Sequence, residues 1–171
     1  MAKLLRLAFT LGSSCLSLPI NGDWKSILLA ADNVEKIEQG GDLRVQLRHL
    51  ECVDACDKLA ITFFVKLNGE CHKFSAVGIK GANGVYETDF SGDNYFQIKY
   101  VKNGFILFYN KNVDADGKVT YVTLIAGKYE SLSEEQKTKF EELTVEKNIP
   151  KENIRNIIET GKVTFPLPVV I

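Results

Sequence analysis

Asn21-Gly22-Asp23-Trp24-Lys25-Ser26-Ile27-Leu28-Leu29-Ala30-Ala31-Asp32 holds the chain's one tryptophan, just after a glycine and at the head of an apolar run. A large indole in that position closes one end of a sheet, with its N–H seeking a nearby carbonyl. The glycine lets the backbone swing in beneath it. An ordinary first strand with a core tryptophan fits the stretch equally well, and the rest of the chain has to decide.

From Trp24 to about Lys128 the pattern is strands and tight turns. Leu43, Val45 and Leu47 alternate with Arg44, Gln46 and Arg48, the period of two that marks a half-buried strand. The parity slips near His49-Leu50, which predicts a bulge. Leu59, Ile61, Phe63 and Val65 share one face of the next strand, and a strand from Cys71 to Ile79 follows the Asn68-Gly69 turn. Asn83-Gly84, Gly92-Asp93, Asn103-Gly104 and Asp116-Gly117 punctuate the remainder, supplying the positive-φ positions that hairpins demand. Roughly eight short strands at near-regular spacing indicate an all-β sandwich or up-and-down barrel. One helix is expected next: Ser133 caps it, Gln136 completes a capping box, and Phe140 and Leu143 form a narrow apolar stripe. So little apolar surface places the helix on a core, against the late strands whose outer residues Phe105, Leu107, Tyr109, Tyr121 and Ile125 need a cover. Ile154, Ile157 and Ile158 are expected to add a helical turn, before an extended tail over residues 161–171.

Length and composition bound the possibilities. With 171 residues, 45% of them hydrophobic, the chain fits one domain with a sizeable core. The 21 basic and 22 acidic residues are interspersed, so nucleic acid is not an expected partner. No run reaches the roughly 18 apolar residues that span a bilayer, so membrane insertion is not expected either. Residues 1–18 read as a signal peptide with Lys3 and Arg6 at its charged end, leaving 19–171 as the folded domain; an ordered N-terminal arm is the alternative. Cys52 and Cys56 lack the histidines or further cysteine pairs of a zinc site and read as a local disulfide across a turn. Cys71 is then the odd cysteine.

Nothing positive indicates an enzyme. Asp114-x-Asp116-Gly117 lacks a glutamate at the twelfth position of a calcium loop, which is Ile125, and reads as a hairpin turn. His49 and His72 have no activated serine beside them and read as exposed strand residues. No glycine-rich phosphate cradle opens a helix, and no cofactor is called for. The inward parity says more. Val45, Leu47, Ile61, Phe63, Ala76, Thr88, Phe90, Phe96, Phe108, Val122 and Leu124 share one side of the strands, together with Asn94 and Asn110. An eight-stranded barrel either fills its interior or holds one small ligand, and pattern alone leaves both open. Because no charge stands among those positions, a guest would be neutral and small; a buried, unpaired carboxylate is prohibitively costly. Asn94 and Asn110 need partners, which could be each other, a water or a ligand oxygen.

The ordered set of motifs resembles the lipocalins, in their odorant-binding protein and aphrodisin branch. It comprises Gly22-x-Trp24, residues 31–37 followed by Gly40-Gly41, Cys52-x-x-x-Cys56, Tyr86-Glu87-Thr88 with Gly92-x-Asn94, Asn110-Lys111-Asn112-Val113-Asp114, Ala126-Gly127-Lys128 and Ile149-Pro150-x-Glu152-Asn153-Ile154. The resemblance covers residues 21–160. It implies an eight-stranded antiparallel up-and-down β-barrel with a C-terminal α-helix packed outside, carrying small hydrophobic odorants or pheromones in secretions. It implies a pocket at Phe90, Asn94, Phe96 and Asn110, and Lys128 lying over Trp24 to close the base. Three features depart from it. Val101-Lys102-Asn103-Gly104 replaces the Thr-Asp-Tyr motif, the segment before Asn21 is short, and the C-terminal tail lacks the cysteine that relatives pair with the position of Cys71. That tail is apolar and could bring two copies together. Besides a secreted carrier, two other roles fit: a protein signal acting on a receptor without its ligand, and an isomerase using Cys71. The family pattern puts Cys71 outside the cavity, which argues against the isomerase.

Overall fold

The computed structural model describes residues 19–158. The expected signal segment, Cys15 and the tail 161–171 lie outside the described residues. Ten strands form one antiparallel sheet: β1 (Gly22–Asp23), β2 (Lys25–Ala31), β3 (Gln46–Val53), β4 (Lys58–Leu67), β5 (Glu70–Lys80), β6 (Tyr86–Asp89), β7 (Asp93–Lys102), β8 (Phe105–Val113), β9 (Val119–Gly127) and β10 (Arg155–Asn156). Strands β3 to β9 each pair with the next, β9 then pairs with β2, and β2 with β10. Eight of them, β2 to β9, match the expected number; β1 and β10 are two-residue additions.

The start of the chain joins the two ends of the sheet. β1 pairs with β3, Gly22 opposite Leu50, whereas β2 pairs with β9 from Lys25 opposite Gly127 to Ala31 opposite Val122. Trp24 stands at the junction and donates its backbone N–H to the Arg48 carbonyl at 3.2 Å. Two residues on, the Ser26 hydroxyl oxygen accepts from the Leu47 N–H at 2.9 Å. These contacts curl the sheet into a barrel and leave few backbone groups on its edges unpaired.

Local chemistry sets the register. The turns Asn68-Gly69 and Asn103-Gly104 have positive φ at both residues and join β4 to β5 and β7 to β8 as two-residue loops. The parity slip in β3 is a register shift between Leu47 and His49, so Leu47 and Leu50 are buried while His49 is exposed. The Asp114 segment is a hairpin turn: the Asp114 Oδ1 accepts from the N–H groups of Asp116 and Lys118 at 3.0 and 2.9 Å. His49 and His72 both lie at the surface, facing Asp23 and Glu70.

Helix α1 (Glu134–Glu146) starts at the capping box, with Ser133 Oγ accepting from the Gln136 N–H at 3.2 Å and Gln136 Oε1 accepting from the Ser133 N–H at 2.9 Å. Glu134 and Glu135 put negative charge on its first turn, where the helix dipole favours it. Its buried residues Phe140 and Leu143 pack on Ala30, Phe105, Leu107 and Ile125, a second core outside the barrel. Within it Thr144 Oγ1 donates to the Phe140 carbonyl, which leaves Thr123 Oγ1 to donate to Thr144 at 2.8 Å.

The expected helical turn at Ile154, Ile157 and Ile158 does not form. A 3-10 turn at Lys151–Asn153 leads into β10, which pairs with β2. The free edge of β2 explains the difference. Ile157 donates its N–H to the Ile27 carbonyl at 3.0 Å, and Asn153 Nδ2 donates to the Ala31 carbonyl at 2.9 Å. Carbonyls that a helix would have left bare are thereby satisfied, and the β-branched side chains suit extended backbone.

Candidate functional site

The inward-facing side chains leave a gap. A cavity of about 120 Å³ lies inside the barrel, walled by 15 residues. Thirteen are the positions that inward parity singles out: Val45, Leu47, Ile61, Phe63, Ala76, Thr88, Phe90, Asn94, Phe96, Phe108, Asn110, Val122 and Leu124. Leu29 and Leu43 complete the wall and escaped the sequence reading. Leu29 lies in an apolar run buried on both faces, where alternation gives no signal, but it stands opposite Leu124 in the ladder. Leu43 shares the parity of Val45 and Leu47 and was open to detection by it.

Aromatic rings shape the space without filling it. Phe90 stands edge-on to Phe63 and Phe74, with ring centroids 4.8 and 4.9 Å apart. Phe96 stacks on Tyr86 at 5.2 Å and meets Phe108 edge-on at 6.3 Å. Gly78 is needed beside it, because a Cβ there would come within 2.7 Å of the Phe96 ring. No lysine, arginine, histidine, aspartate or glutamate is among the wall residues.

The polar groups of the wall are Thr88, Asn94 and Asn110. Asn94 Nδ2 donates to the carbonyls of Phe90 and Gly92 at 2.7 and 3.3 Å. Its Oδ1 accepts from Asn110 Nδ2 at 2.9 Å and from Asn112 Nδ2 at 3.1 Å. Asn94 is therefore fully engaged within the protein, and Asn110 is left with its Oδ1 buried and without a protein partner.

Side-chain contacts tie the chain together at both ends of the barrel. At the end nearest these asparagines, Lys36 from the β2–β3 connection reaches Asp42 at 3.2 Å and Asp114 at 3.6 Å. Ser91 also donates to the Asp42 carboxylate. The Asp114 carboxyl is held below its usual range by the Lys118 and Asp116 N–H groups and by Lys36. At the other end the Trp24 Nε1 donates to the Ile20 carbonyl at 2.7 Å, and Lys128 Nζ lies 4.0 Å from the indole centroid. Gly22, at φ 119°, makes room for this arrangement, since a Cβ there would stand 2.9 Å from the Lys128 Nζ. Burial pulls the Lys128 pKa down, and Asp23 opposes it.

Cys52 and Cys56 form a disulfide across the β3–β4 turn, with Cα atoms 4.4 Å apart. The turn is anchored by the buried Tyr86, whose hydroxyl donates to the Cys56 carbonyl at 2.7 Å. Cys71 is exposed and carries a free thiol. Among the described residues no helix is long and apolar enough to cross a membrane.

An apolar, uncharged hollow in an up-and-down barrel can hold a guest by desolvation. Comparison with known proteins agrees. The chain is 45% identical over 168 residues to the female-specific lacrimal gland protein of Mesocricetus auratus, covering 94% of this chain and 97% of that one. It is 41% identical to an odorant-binding protein of Rattus norvegicus over the same shares. The crystal structure of aphrodisin, a sex pheromone from female hamster, superposes with a TM-score of 0.82 at 42% identity, covering 85% of this chain and 99% of that one. The family model for the lipocalin / cytosolic fatty-acid binding protein family matches residues 21–161, which is nearly the whole described barrel with its helix, and the chain belongs to that family.

Proposed function

We propose that this protein is a secreted carrier of small, neutral, hydrophobic molecules of the odorant or pheromone type, held inside the barrel. The observation that carries the proposal is the hollow of about 120 Å³ with no charged residue in its wall. A dry apolar cavity of about 150 Å³ takes up benzene, so a single ring or a short chain is the right size of guest. Burying its apolar surface drives binding, at roughly 25 cal/mol per Å² before the cost of lost freedom. An anionic guest such as a fatty acid would find no cation in the wall.

Displacement of a fluorescent apolar probe from the purified protein tests the proposal. Saturable binding, with competition by small neutral aromatics, is the expected result; absence of saturable binding ends it. Secretion is tested by the intact mass of the exported product, which reports removal of a leader and the cysteine oxidation state together. Delivery to a receptor requires the loaded form to be the active one, so activity of the ligand-stripped protein would instead favour a signal carried by the protein surface.

A further inference from the structure

We infer that the C-terminal segment of this chain, residues 163–171, lies along a bare edge of β5 as an added strand, in the groove between β5 and β6. Closure at Trp24 joins the two ends of the sheet, yet the β5–β6 ladder stops short. β4 pairs with β5 from Glu70 to Ile79, whereas β6 pairs with it only at Ile79 and Lys80. Along residues 70–78 every second N–H and C=O therefore points away from β4 with no strand to meet it. Beside this edge runs a surface groove of about 580 Å³, bordered by Ala76, Val77, Ile79, Glu87, Thr88 and Asp89. Val77 and Ile79 are 51% and 59% exposed there. Bare backbone beside exposed aliphatic side chains is a place where one more strand can add.

The tail matches this edge in pattern, charge and reach. Val163, Phe165, Leu167, Val169 and Ile171 alternate with Thr164, Pro166, Pro168 and Val170, so an extended chain puts the first set on one face. Pro166 and Pro168 are two positions apart, so both missing N–H groups fall on the same edge of such a strand. The other edge keeps its N–H groups at Phe165, Leu167 and Val169. A segment of this kind takes one neighbour and ends the sheet. Lys162 is the one charge in residues 160–171, and it precedes the apolar stripe. Asp89 stands at the end of the groove away from Lys80, where the tail enters. The Ile157 carbonyl accepts from Gln46 Nε2 at 3.1 Å, and Gln46 is level with Phe64 on β4 and, through it, with Lys73 on β5. A strand beyond β5 is three strand spacings from β3, about 14 Å. Val163, five residues past Ile158, reaches up to about 17 Å. From there the tail runs toward Ile79 over the bare edge.

Hydrogen exchange read by mass spectrometry, on the full-length chain and on a chain ending at Thr160, tests the inference. Residues 70–78 of β5 are expected to exchange about tenfold or more slowly in the full chain, with residues 105–113 of β8 alike in both. Two single prolines then test the strand itself. Val170→Pro adds to the edge that already lacks N–H groups and is expected to keep the protection. Val169→Pro removes an N–H from the pairing edge, and β5 is expected to exchange several-fold faster than in Val170→Pro. Equal exchange of β5 in the full and shortened chains overturns the inference, and so does equal exchange in the two proline variants. Protection that disappears on dilution, together with a dimer in sedimentation, assigns the tail to a second copy and also overturns it. Every change lies beyond residue 158, outside the barrel and helix, so none of these outcomes hinges on a fold that fails.

Discussion

Ala76→Ile asks whether the hollow is real. Ala76 stands opposite Ile61 in the β4–β5 ladder, and both face the cavity. The substitution adds three carbons to a wall that encloses about 120 Å³. If they enter empty apolar space, each contributes about 0.8 kcal/mol, and the lost rotamer freedom of isoleucine takes back about 0.5–1 kcal/mol. The net gain is about 1.5 kcal/mol, or about 3–6 °C in Tm for a chain of this size. A β-branched residue also suits the strand. The same carbons occupy the guest's space, so probe affinity is expected to fall at least tenfold, a difference of about 1.4 kcal/mol. Thermal unfolding by circular dichroism and calorimetric titration with p-cresol read the two effects side by side. A packed interior gives the opposite result: overpacking lowers stability by about 1–3 kcal/mol. A Tm drop with unchanged probe binding would refute the hollow.

Phe140→Ala removes a fully buried ring from the helix–barrel core, and urea unfolding should show a loss of about 3–5 kcal/mol. Lys128→Gln removes the cation over Trp24, and unfolding followed by the emission of this one tryptophan should show a loss of about 0.5–2 kcal/mol. The Asp114 carboxyl titrates below its ordinary value of 3.8, so the stability it contributes is present above that pH and is lost as pH falls through its folded pKa. Asp114→Asn keeps the oxygen that accepts from the turn and removes the titration. Its urea midpoint should therefore fall less steeply than the wild type's below about pH 4.

Much of the barrel was legible because strands alternate and turns carry their own chemistry. Leu59, Ile61, Phe63 and Val65 turn to the interior as their spacing says, and Asn68-Gly69 and Asn103-Gly104 turn where they stand. The capping box at Ser133 marked the helix start by the same local logic. Non-local pairing was not legible. Ile154 and Ile157 have helical spacing, yet the open edge of β2, more than a hundred residues earlier, draws Arg155–Asn156 into a strand. Leu29 was hidden because β2 is covered on both faces, inside by the cavity and outside by the helix, and shows no alternation. The asparagine pair was found by parity, but its division of labour was not. That division depends on tertiary placement: the Asn94 amide is held by the Phe90 and Gly92 carbonyls, while the Asn110 Oδ1 is buried without a protein partner.

The way the barrel closes also orders events in time. Lys25 at the start of β2 meets Gly127 at the end of β9, whereas β4 and β5 meet across a two-residue turn. On a ribosome, Ser26-Ile27-Leu28-Leu29-Ala30-Ala31 emerges ahead of β3 to β9 and has no ladder partner until β9 has followed it out. Hairpins in the middle can form early, and the seam comes last, since loop closure must precede contacts so distant in sequence. Until then a sticky segment waits uncovered, and the interval before the seam zips is when this protein is most exposed to aggregation.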